Sequence, residues 1–454
     1  MNINKSRLFL GSCFALITTA FSFSIRAGIL DQLGDQYGFS AEQLGTINQM
    51  WFLGFPISMI VGGLIYNSLG GKRIMQFAFL SHTIGILLTI FSGGSYELLL
   101  VSTLFIGLGN GCTEAACNPM IADAYEGNKM SQMLNRFHMW FPGGIVIGSL
   151  LSEAMTRTGL SWQAQIWAIM IPTVIYVILF WGQEFPKPKV QAASSISENL
   201  KAMFSPLFIF IFLCMALTSI SEFGPQQWVK LILGKSGANP MVLLALTTGT
   251  MAVARFFAGP IIHKIDQTGV LLGSAILTAI GLYMYSTMTG PILYLVAIVY
   301  ACGIAYFWPN MVGFVADKIP ASGALGMSVI GGVGMFSSSI FQPIIGRWID
   351  SNNASASAAQ GVTVDTYKEM ESLSKLLDKK GVSLADLQKM LDSGVQEFEK
   401  MNITDIISKI TAYDKITLAS GQATLYTMVL FPVILIVAFT GLYFYMKNRK
   451  AAKA

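Results

Sequence analysis

Long apolar segments separated by short polar connections recur along the whole 454-residue chain. A helix of about 20 apolar residues is long enough to cross the hydrocarbon core of a bilayer. The pattern therefore predicts an all-α membrane protein with twelve transmembrane helices. The predicted spans are 8–30, 43–66, 73–93, 98–123, 132–154, 163–184, 205–228, 240–262, 269–289, 292–316, 323–348 and 420–446.

Basic residues predict the orientation of the chain. Lys5 and Arg7 precede the first span as they would in a secretory signal, but eleven spans follow without a small-residue cleavage site, so we expect an uncleaved helix. Connections on the side of the termini are rich in basic residues such as Lys72 and Lys129, whereas the short opposite loops contain few, such as Lys230. Cytoplasmic loops are enriched in Lys and Arg. We therefore expect a multi-pass protein of the bacterial cytoplasmic (inner) membrane with both termini in the cytoplasm.

The polar connection at 185–204 divides the twelve spans into two sets of six. Gly107–Asp123 and Ala301–Asp317 echo each other, since each is rich in glycine, contains a proline and ends in aspartate. Two six-helix repeats place a binding site near the middle of the membrane. The predicted organisation is an N-terminal six-helix bundle at 1–184, a cytoplasmic linker at 185–204, a C-terminal six-helix bundle at 205–446 and a cytoplasmic tail at 447–454.

A long hydrophilic stretch at about 350–418 interrupts the second bundle. Its beginning, Ser351–Gly361, contains small and polar residues, and this composition predicts a linker. Apolar residues then recur at helical spacing and predict two or three short amphipathic helices on the extracytoplasmic side. We expect this insertion to be a small cap or a packing appendage.

Composition narrows the function classes. The chain is 53% hydrophobic and 12% charged, whereas soluble domains contain about 25% charged residues. The net charge of +5 is scattered, and no nucleic-acid motif is present. The five cysteines lie in apolar segments without metal or redox spacing. We therefore expect no nucleic-acid partner, no metal and no cofactor, but contact with membrane lipid.

Charged residues inside apolar spans are functional candidates, because a charge in the membrane is costly. Glu114, near the middle of the fourth span, is the best candidate to load and release a proton. The alternative is a permanent ion pair with Arg26 or Arg136 that only holds helices together. For Arg26, two interpretations stay open: it pairs with Glu114, or it binds an anionic substrate directly.

Polar side chains at similar depth predict a substrate-binding site. Amide groups above flat aromatic rings suit the hydroxyl rim and apolar face of a sugar, whereas hydrogen bonding between helices is the alternative for any one of them. The candidate substrate-binding residues are Arg26, Asn48, Gln49, Asn118, Asn135, His138, Glu222, Gln226, Gln227, Trp308 and Asn310.

The connection between the second and third spans carries a recognisable motif. It reads Gly63-Leu-Ile-Tyr-Asn67-Ser-Leu-Gly70-Gly71-Lys72-Arg73. This resembles the gating loop of major facilitator transporters, with Asn67 in place of the usual aspartate. The resemblance implies the major facilitator fold and a gating role for Gly63, Asn67, Gly70, Lys72 and Arg73. The missing charge at Asn67 puts the usual charge-pair gate on this side in question.

The fourth span carries a sharper match. Gly111-Cys-Thr-Glu114-Ala-Ala-Cys-Asn118-Pro119 resembles the Glu-x-Ala-Ala-Asn-Pro signature of the fucose–galactose–glucose:proton symporter family. The resemblance extends over roughly the first five spans and places Asp31 at the position of that family's carboxylate in its first helix. It implies that Asp31 and Glu114 are the proton-coupling carboxylates. His138 departs from that family's pattern, in which a glutamine stands.

These observations lead to a ranked set of functions. The first is a monomeric secondary transporter that takes up a sugar or a related small polar solute with protons by alternating access. A facilitator or exchanger of organic anions or other polar solutes is the second, and an efflux pump for drugs or lipids is the third. A membrane enzyme or sensor ranks lowest, because the sequence contains no nucleophile–base pair, metal cluster or phosphate loop.

Overall fold

The computed structural model describes residues 3–125, 133–134, 136–186, 196–380, 382–393 and 397–451. Within these ranges the chain forms helices and turns without β-strands, so the predicted all-α fold is confirmed. The first helices are α1 Lys5–Tyr37, α2 Ala41–Ile90, α3 Tyr96–Ala124, α4 Trp140–Arg157 and α5 Trp162–Phe180. The following ones are α6 Ile196–Met203, α7 Pro206–Gln227, α8 Val229–Leu233, α9 Pro240–Phe256, α10 Ala258–Thr287, α11 Ile292–Ile304, α12 Phe307–Lys318, α13 Gly323–Ala359, α14 Val364–Lys380, α15 Leu384–Asp392, α16 Glu397–Met428 and α17 Leu430–Ala451.

Ten helical segments of the described chain are long and apolar enough to cross a bilayer. The second and third of these both belong to α2, and the last combines parts of α16 and α17. Two further helices, α4 and the shorter apolar α9, lie where the sequence predicts the fifth and eighth spans. With these two helices, the described chain contains a helix at each of the twelve predicted spans.

Local capping explains where several helices begin. The Ser40 side chain accepts a hydrogen bond from the Gln43 backbone amide, and the Gln43 side chain accepts one from the Ser40 backbone amide, which is a capping box at the start of α2. Ser161 and Asn239 cap α5 and α9 with their side chains. Such caps satisfy amide groups that have no partner inside the helix and contribute about 1 kcal/mol each. The caps help to define the short turns between the spans.

The same backbone turn occurs in both halves of the described chain. Gly70 inside α2 has φ 75° and ψ 155°, and Asp266 inside α10 has φ 59° and ψ 170°. Each follows a glycine by seven residues, Gly63 or Gly259. Asp266 is unusual at positive φ, and its side chain accepts hydrogen bonds from the backbone of Thr268 and Gly269. The loop motif of the first half therefore has a counterpart of equal spacing in the second.

The long insertion is more helical than its composition suggests. The predicted linker at Ser351–Gly361 is wrong, because α13 continues without a break to Ala359. Alanines alternate with small polar residues there, and alanine has the highest helix propensity. The Asn352 side-chain amide in this extension also donates a 3.0 Å hydrogen bond to the Thr424 hydroxyl on α16. The predicted short amphipathic helices are confirmed by α14 and α15.

We refer to the end of the bundle with α14 and α15 as the insertion end, and to the end with Lys5 and Ala451 as the terminus end. The N-terminal helices are α1–α5, and the C-terminal helices are α6–α17. At the insertion end the two sets pack closely: a methyl group at Gly346 on α13 would collide with the Ala41 carbonyl on α2, and Asp350 accepts hydrogen bonds from the first amides of α2.

The insertion contacts the N-terminal helices as well as the remaining C-terminal helices. On the C-terminal side, Lys235 forms an ion pair with Asp414 at 3.0 Å and donates a hydrogen bond to Ser374 on α14. On the N-terminal side, Lys375 of α14 forms an ion pair with Asp35 of α1 at 2.8 Å. Burial alone would lower the pKa of Lys375, but its bonds to Asp35 and Glu371 outweigh burial and raise it. Helix α14 thus bridges the two sets at the insertion end.

Candidate functional site

Helices α1 and α7 lie side by side at the interface between the two sets and contact each other at successive turns. The rings of Phe23 and Phe223 are 5.9 Å apart in an edge contact. One turn further along, Arg26 Nη2 donates a hydrogen bond to Gln227 Oε1 at 3.0 Å. Beyond that, Asp31 forms an ion pair with Lys230 of α8 at 3.2 Å. Arg26 therefore lies inside a continuous contact between the N-terminal and C-terminal helices.

Arg26 is a buried cation with neutral neighbours. Its side chain is 6% exposed, and its guanidinium carbon lies 4.8 Å from the centre of the Trp51 ring and 6.0 Å from that of Phe52. Its Nε is buried and has no hydrogen-bond partner. In the part of the chain that the structure describes, no carboxylate lies within ion-pair distance of Arg26. Aromatic faces and one amide oxygen offset the positive charge of Arg26 incompletely, so the guanidinium is under-compensated in this conformation.

A buried polar network holds Trp51 in place beneath Arg26. Trp51 Nε1 donates to Ser22 Oγ at 2.9 Å, and Asn110 Nδ2 donates to the same oxygen at 3.1 Å. Asn110 Oδ1 meets His82 Nε2 at 2.9 Å, and His82 Nδ1 meets the Tyr176 hydroxyl at 3.1 Å. With the amide of Asn110 donating to Ser22, its oxygen accepts from His82 Nε2–H, so Tyr176 donates to Nδ1 of a neutral imidazole.

Four residues of this network, Ser22, His82, Asn110 and Tyr176, are absent from the sequence-derived candidates. Ser22, His82 and Asn110 each lie well inside a predicted apolar span. Their polarity at that depth was the available signal. Their spacing in sequence gives no sign that they meet, because each comes from a different helix.

Glu114 does not pair with Arg26. It is half-buried, and its Oε2 accepts a 2.6 Å hydrogen bond from Asn118 Nδ2 on the same helix. The Ser22–Asn110 bond sets the register of antiparallel α1 and α3. Arg26 lies four residues from Ser22 towards the insertion end, and Glu114 lies four residues from Asn110 towards the terminus end. At 1.5 Å per residue the two are about 12 Å apart along the bundle, so the predicted pair is wrong.

Asp31 and Glu222 both have basic partners from other helices. Asp31, with a side chain 37% exposed, meets the Lys230 ammonium, which is 10% exposed. Glu222 is buried on α7 and lies 3.6 Å from Arg255 of α9. Arg255 also donates from Nε to the Ala305 carbonyl at 2.8 Å. Each predicted carboxylate outside α3 is therefore already balanced by a cation in this conformation.

Two predicted amides are satisfied inside the C-terminal helices. Gln226 Nε2 lies 3.9 Å from the sulfur of Met251 on α9. Asn310 is buried and donates to the Tyr306 carbonyl in its own helix at 3.0 Å. Hydrogen bonding between helices therefore accounts for the contact of Gln226, whereas the Asn310 bond stays within one helix, and a substrate would have to displace both contacts.

Other predicted groups line the interface between the sets. Asn48 is fully buried, and neither its amide oxygen nor its nitrogen has a partner. The side-chain amide of buried Gln342 on α13 is likewise unpartnered. Gln49 is half-buried, and its backbone carbonyl accepts a 3.0 Å hydrogen bond from the Ser339 hydroxyl. Trp308 is half-buried, and its ring meets Phe223 edge-on at 6.3 Å.

The structure does not gather the candidates of the fifth span around Arg26. His138 is exposed, and its ring lies 5.0 Å from that of Phe137 in an edge contact. Arg136, the other predicted partner of Glu114, is also exposed and forms no ion pair with it in the described chain. Asn135 lies outside the described residues.

The gating-motif residues lie at the terminus end. Gly63 and Arg73 are exposed, and Gly70 supplies the positive φ described above. Lys72 donates to the Gln183 carbonyl beyond the end of α5 at 3.2 Å. The side chain of Asn67 lies outside those that the structure describes. The motif thus joins the α2 turn to the end of α5.

Known proteins resemble this chain in sequence and in fold. A cis,cis-muconate transport protein of Acinetobacter baylyi is 23% identical over 320 residues, which cover 66% of this chain and 76% of that protein. A hexuronate transporter of Bacillus subtilis is 26% identical over 179 residues, covering 38% of this chain and 40% of that protein. These relatives are named for organic acids, whereas the motif in α3 resembles that of sugar symporters.

A solved structure shares the fold over nearly the whole chain. The bacterial homologue of the human lysosomal transporter Spinster superimposes with a TM-score of 0.71 at 14% identity, covering 96% of each chain. The family profile of the Major Facilitator Superfamily matches residues 12–343. This match covers most of the chain, and the apolar helices agree with it. The protein is therefore an integral multi-pass membrane protein that belongs to the Major Facilitator Superfamily.

Proposed function

We propose that this protein is a secondary transporter that carries a small organic anion by alternating access between two six-helix bundles, 1–184 and 205–446. The observation that carries the proposal is the buried guanidinium of Arg26, which has neutral partners and an unpartnered Nε. A carboxylate binds a guanidinium through two parallel, charge-assisted hydrogen bonds. Muconate and hexuronate, for which the two relatives are named, are carboxylates.

We further propose that transport is coupled to protons. Glu114 supports this role because it is half-buried and its partner is the neutral amide of Asn118 rather than a permanent cation. Asp31 fits a second role, since a proton on its carboxylate would release Lys230 and loosen the insertion end. The Lys and Arg distribution favours cytoplasmic termini in a bacterial inner membrane, so that the insertion end faces outwards. We take uptake by a monomer as the working scheme.

Proton-coupled sugar uptake is the second candidate. It is favoured by the unpartnered amides of Asn48 and Gln342, which are buried on the facing helices α2 and α13. Amides of this kind bind hydroxyl groups, and burying them without partners is costly. A sugar acid would use both features, with its carboxylate on Arg26 and its hydroxyls on the amides.

Uptake by the purified protein in liposomes separates these candidates. We would compare labelled galacturonate, cis,cis-muconate and neutral galactose, with and without an imposed pH gradient. Arg26→Ala should abolish uptake of the acids, and Arg26→Lys should retain only part of it, because an ammonium cannot reproduce the planar two-bond contact. Arg157→Ala is the matched control, since this arginine is 69% exposed at the end of α4. Accumulation of galactose alone, unaffected by Arg26→Ala, would overturn the anion proposal.

A further inference from the structure

Gln227 occupies the position at which a bound anion would meet Arg26. It is the last residue of α7 and is completely buried. Its Oε1 accepts the hydrogen bond from Arg26 Nη2 at 3.0 Å, and its Nε2 donates to the Phe23 carbonyl at 3.1 Å. Both ends of one amide from the C-terminal helices are thus bound to α1.

These two bonds belong to the closed insertion end. The Phe23–Phe223 contact lies one turn towards the terminus end, and the Asp31–Lys230 pair lies about one turn towards the insertion end. If α1 and α7 separate at the insertion end, as alternating access requires, Arg26 and Phe23 must lose their contacts with Gln227. The amide therefore takes part in both the anion site and the closed gate.

We infer that Gln227 is an internal stand-in for the substrate, which an incoming carboxylate displaces from Arg26. This inference rests on the proposed function and adds the step that links binding to opening. A carboxylate can accept two parallel hydrogen bonds from a guanidinium with both partners charged, whereas the neutral amide oxygen of Gln227 accepts one bond from Arg26. Once displaced, Gln227 no longer fastens α7 to α1, and opening of the insertion end requires less free energy.

The same geometry makes Gln227 a competitor for the site, because a ligand must first break its bond with Arg26. If a site is free for only a fraction of the time, its apparent Kd equals the intrinsic Kd divided by that fraction. Removing the amide should therefore tighten binding rather than weaken it. This outcome distinguishes a stand-in from a residue that binds the substrate directly.

The test measures the Kd of galacturonate and cis,cis-muconate for the full-length protein in detergent. Gln227→Leu should lower the Kd about tenfold, which corresponds to a lost competing bond of about 1.4 kcal/mol. Gln227→Glu should raise the Kd, since its carboxylate pairs with Arg26. Gln165→Leu is the control, because the buried amide of Gln165 bonds to Ser152 and Thr156, which both belong to the N-terminal helices. An unchanged or raised Kd for Gln227→Leu would overturn the inference.

A second readout keeps this inference separate from the proposed function. Spin labels at the exposed positions Gln43 on α2 and Ser351 on α13 report the separation of the two sets at the insertion end. Without ligand, Gln227→Leu should populate the longer distance more than the wild type does. If the wild type binds none of the acids, the proposed function fails. If the ligand-free distances of the variant equal those of the wild type, the role of Gln227 in the gate fails.

Discussion

Replacing Ser22 by alanine should destabilise the protein far more than the loss of one small hydroxyl suggests. The Ser22 hydroxyl accepts hydrogen bonds from Trp51 and Asn110 and donates to the Thr19 carbonyl at 2.8 Å. Alanine would leave two buried donors without an acceptor. Each such donor costs about 1–3 kcal/mol, so we expect a loss of about 2–6 kcal/mol in the free energy of unfolding. Titration of the detergent-solubilised protein with SDS measures this loss.

Two comparisons make the Ser22 prediction refutable. Ser24, on the same helix, is equally buried but donates to the Ala20 carbonyl, so Ser24→Ala should change the unfolding free energy by less than about 1 kcal/mol. Trp51→Phe removes one of the two donors that Ser22→Ala leaves without an acceptor. The double variant should therefore lose about 1–3 kcal/mol less unfolding free energy than the sum of the two single variants. Equal costs for Ser22→Ala and Ser24→Ala, or additivity in the double variant, would refute the reasoning.

Three further predictions concern coupling and the gate. Glu114→Gln should abolish proton-driven accumulation but spare counterflow, because glutamine cannot titrate; normal uphill uptake would exclude Glu114 as the proton carrier. Asp31→Asn should alter the pH dependence of uptake by releasing Lys230, and an unchanged profile would argue against this role. Lys375→Ala should raise the open population at the insertion end about 1.4- to fivefold, since a partly exposed ion pair contributes about 0.2–1 kcal/mol. Equal spin-label distances in Lys375→Ala and wild type would contradict it.

The sequence predicts the helices well because burial in a bilayer acts on each span separately. About 20 apolar residues in a row predict a transmembrane helix whatever it packs against, and all twelve predicted spans contain a helix in the described chain. The insertion shows the limit of this approach. Ser351–Gly361 has the composition of a linker. However, the helix α13 precedes it directly, and the alanines of the segment extend that helix to Ala359.

Partners were harder to predict than candidate residues. A charge inside an apolar span marks Arg26 and Glu114 as unusual, but only the register between helices determines what each one touches. The hydrogen bond that holds Arg26 joins it to Gln227, which lies 201 positions further along the chain. The bond that sets the offset between Arg26 and Glu114 joins Ser22 to Asn110. Both bonds join residues of different helices, so the periodicity of hydrophobic residues within one helix cannot predict them.

The offset between Arg26 and Glu114 bears on how coupling can work. A direct ion pair would let the anion and the proton compete for one contact, but about 12 Å of bundle separates the two groups. The proton and the anion must then communicate through the conformation of the interface. Gln227 fits this requirement, because it joins Arg26 to the C-terminal helices and, in the proposed displacement, is released when an anion binds. In this scheme Arg26 and Gln227 control whether the insertion end is open or closed. Glu114, which lies nearer the terminus end, then gains or loses its proton in response to the opening.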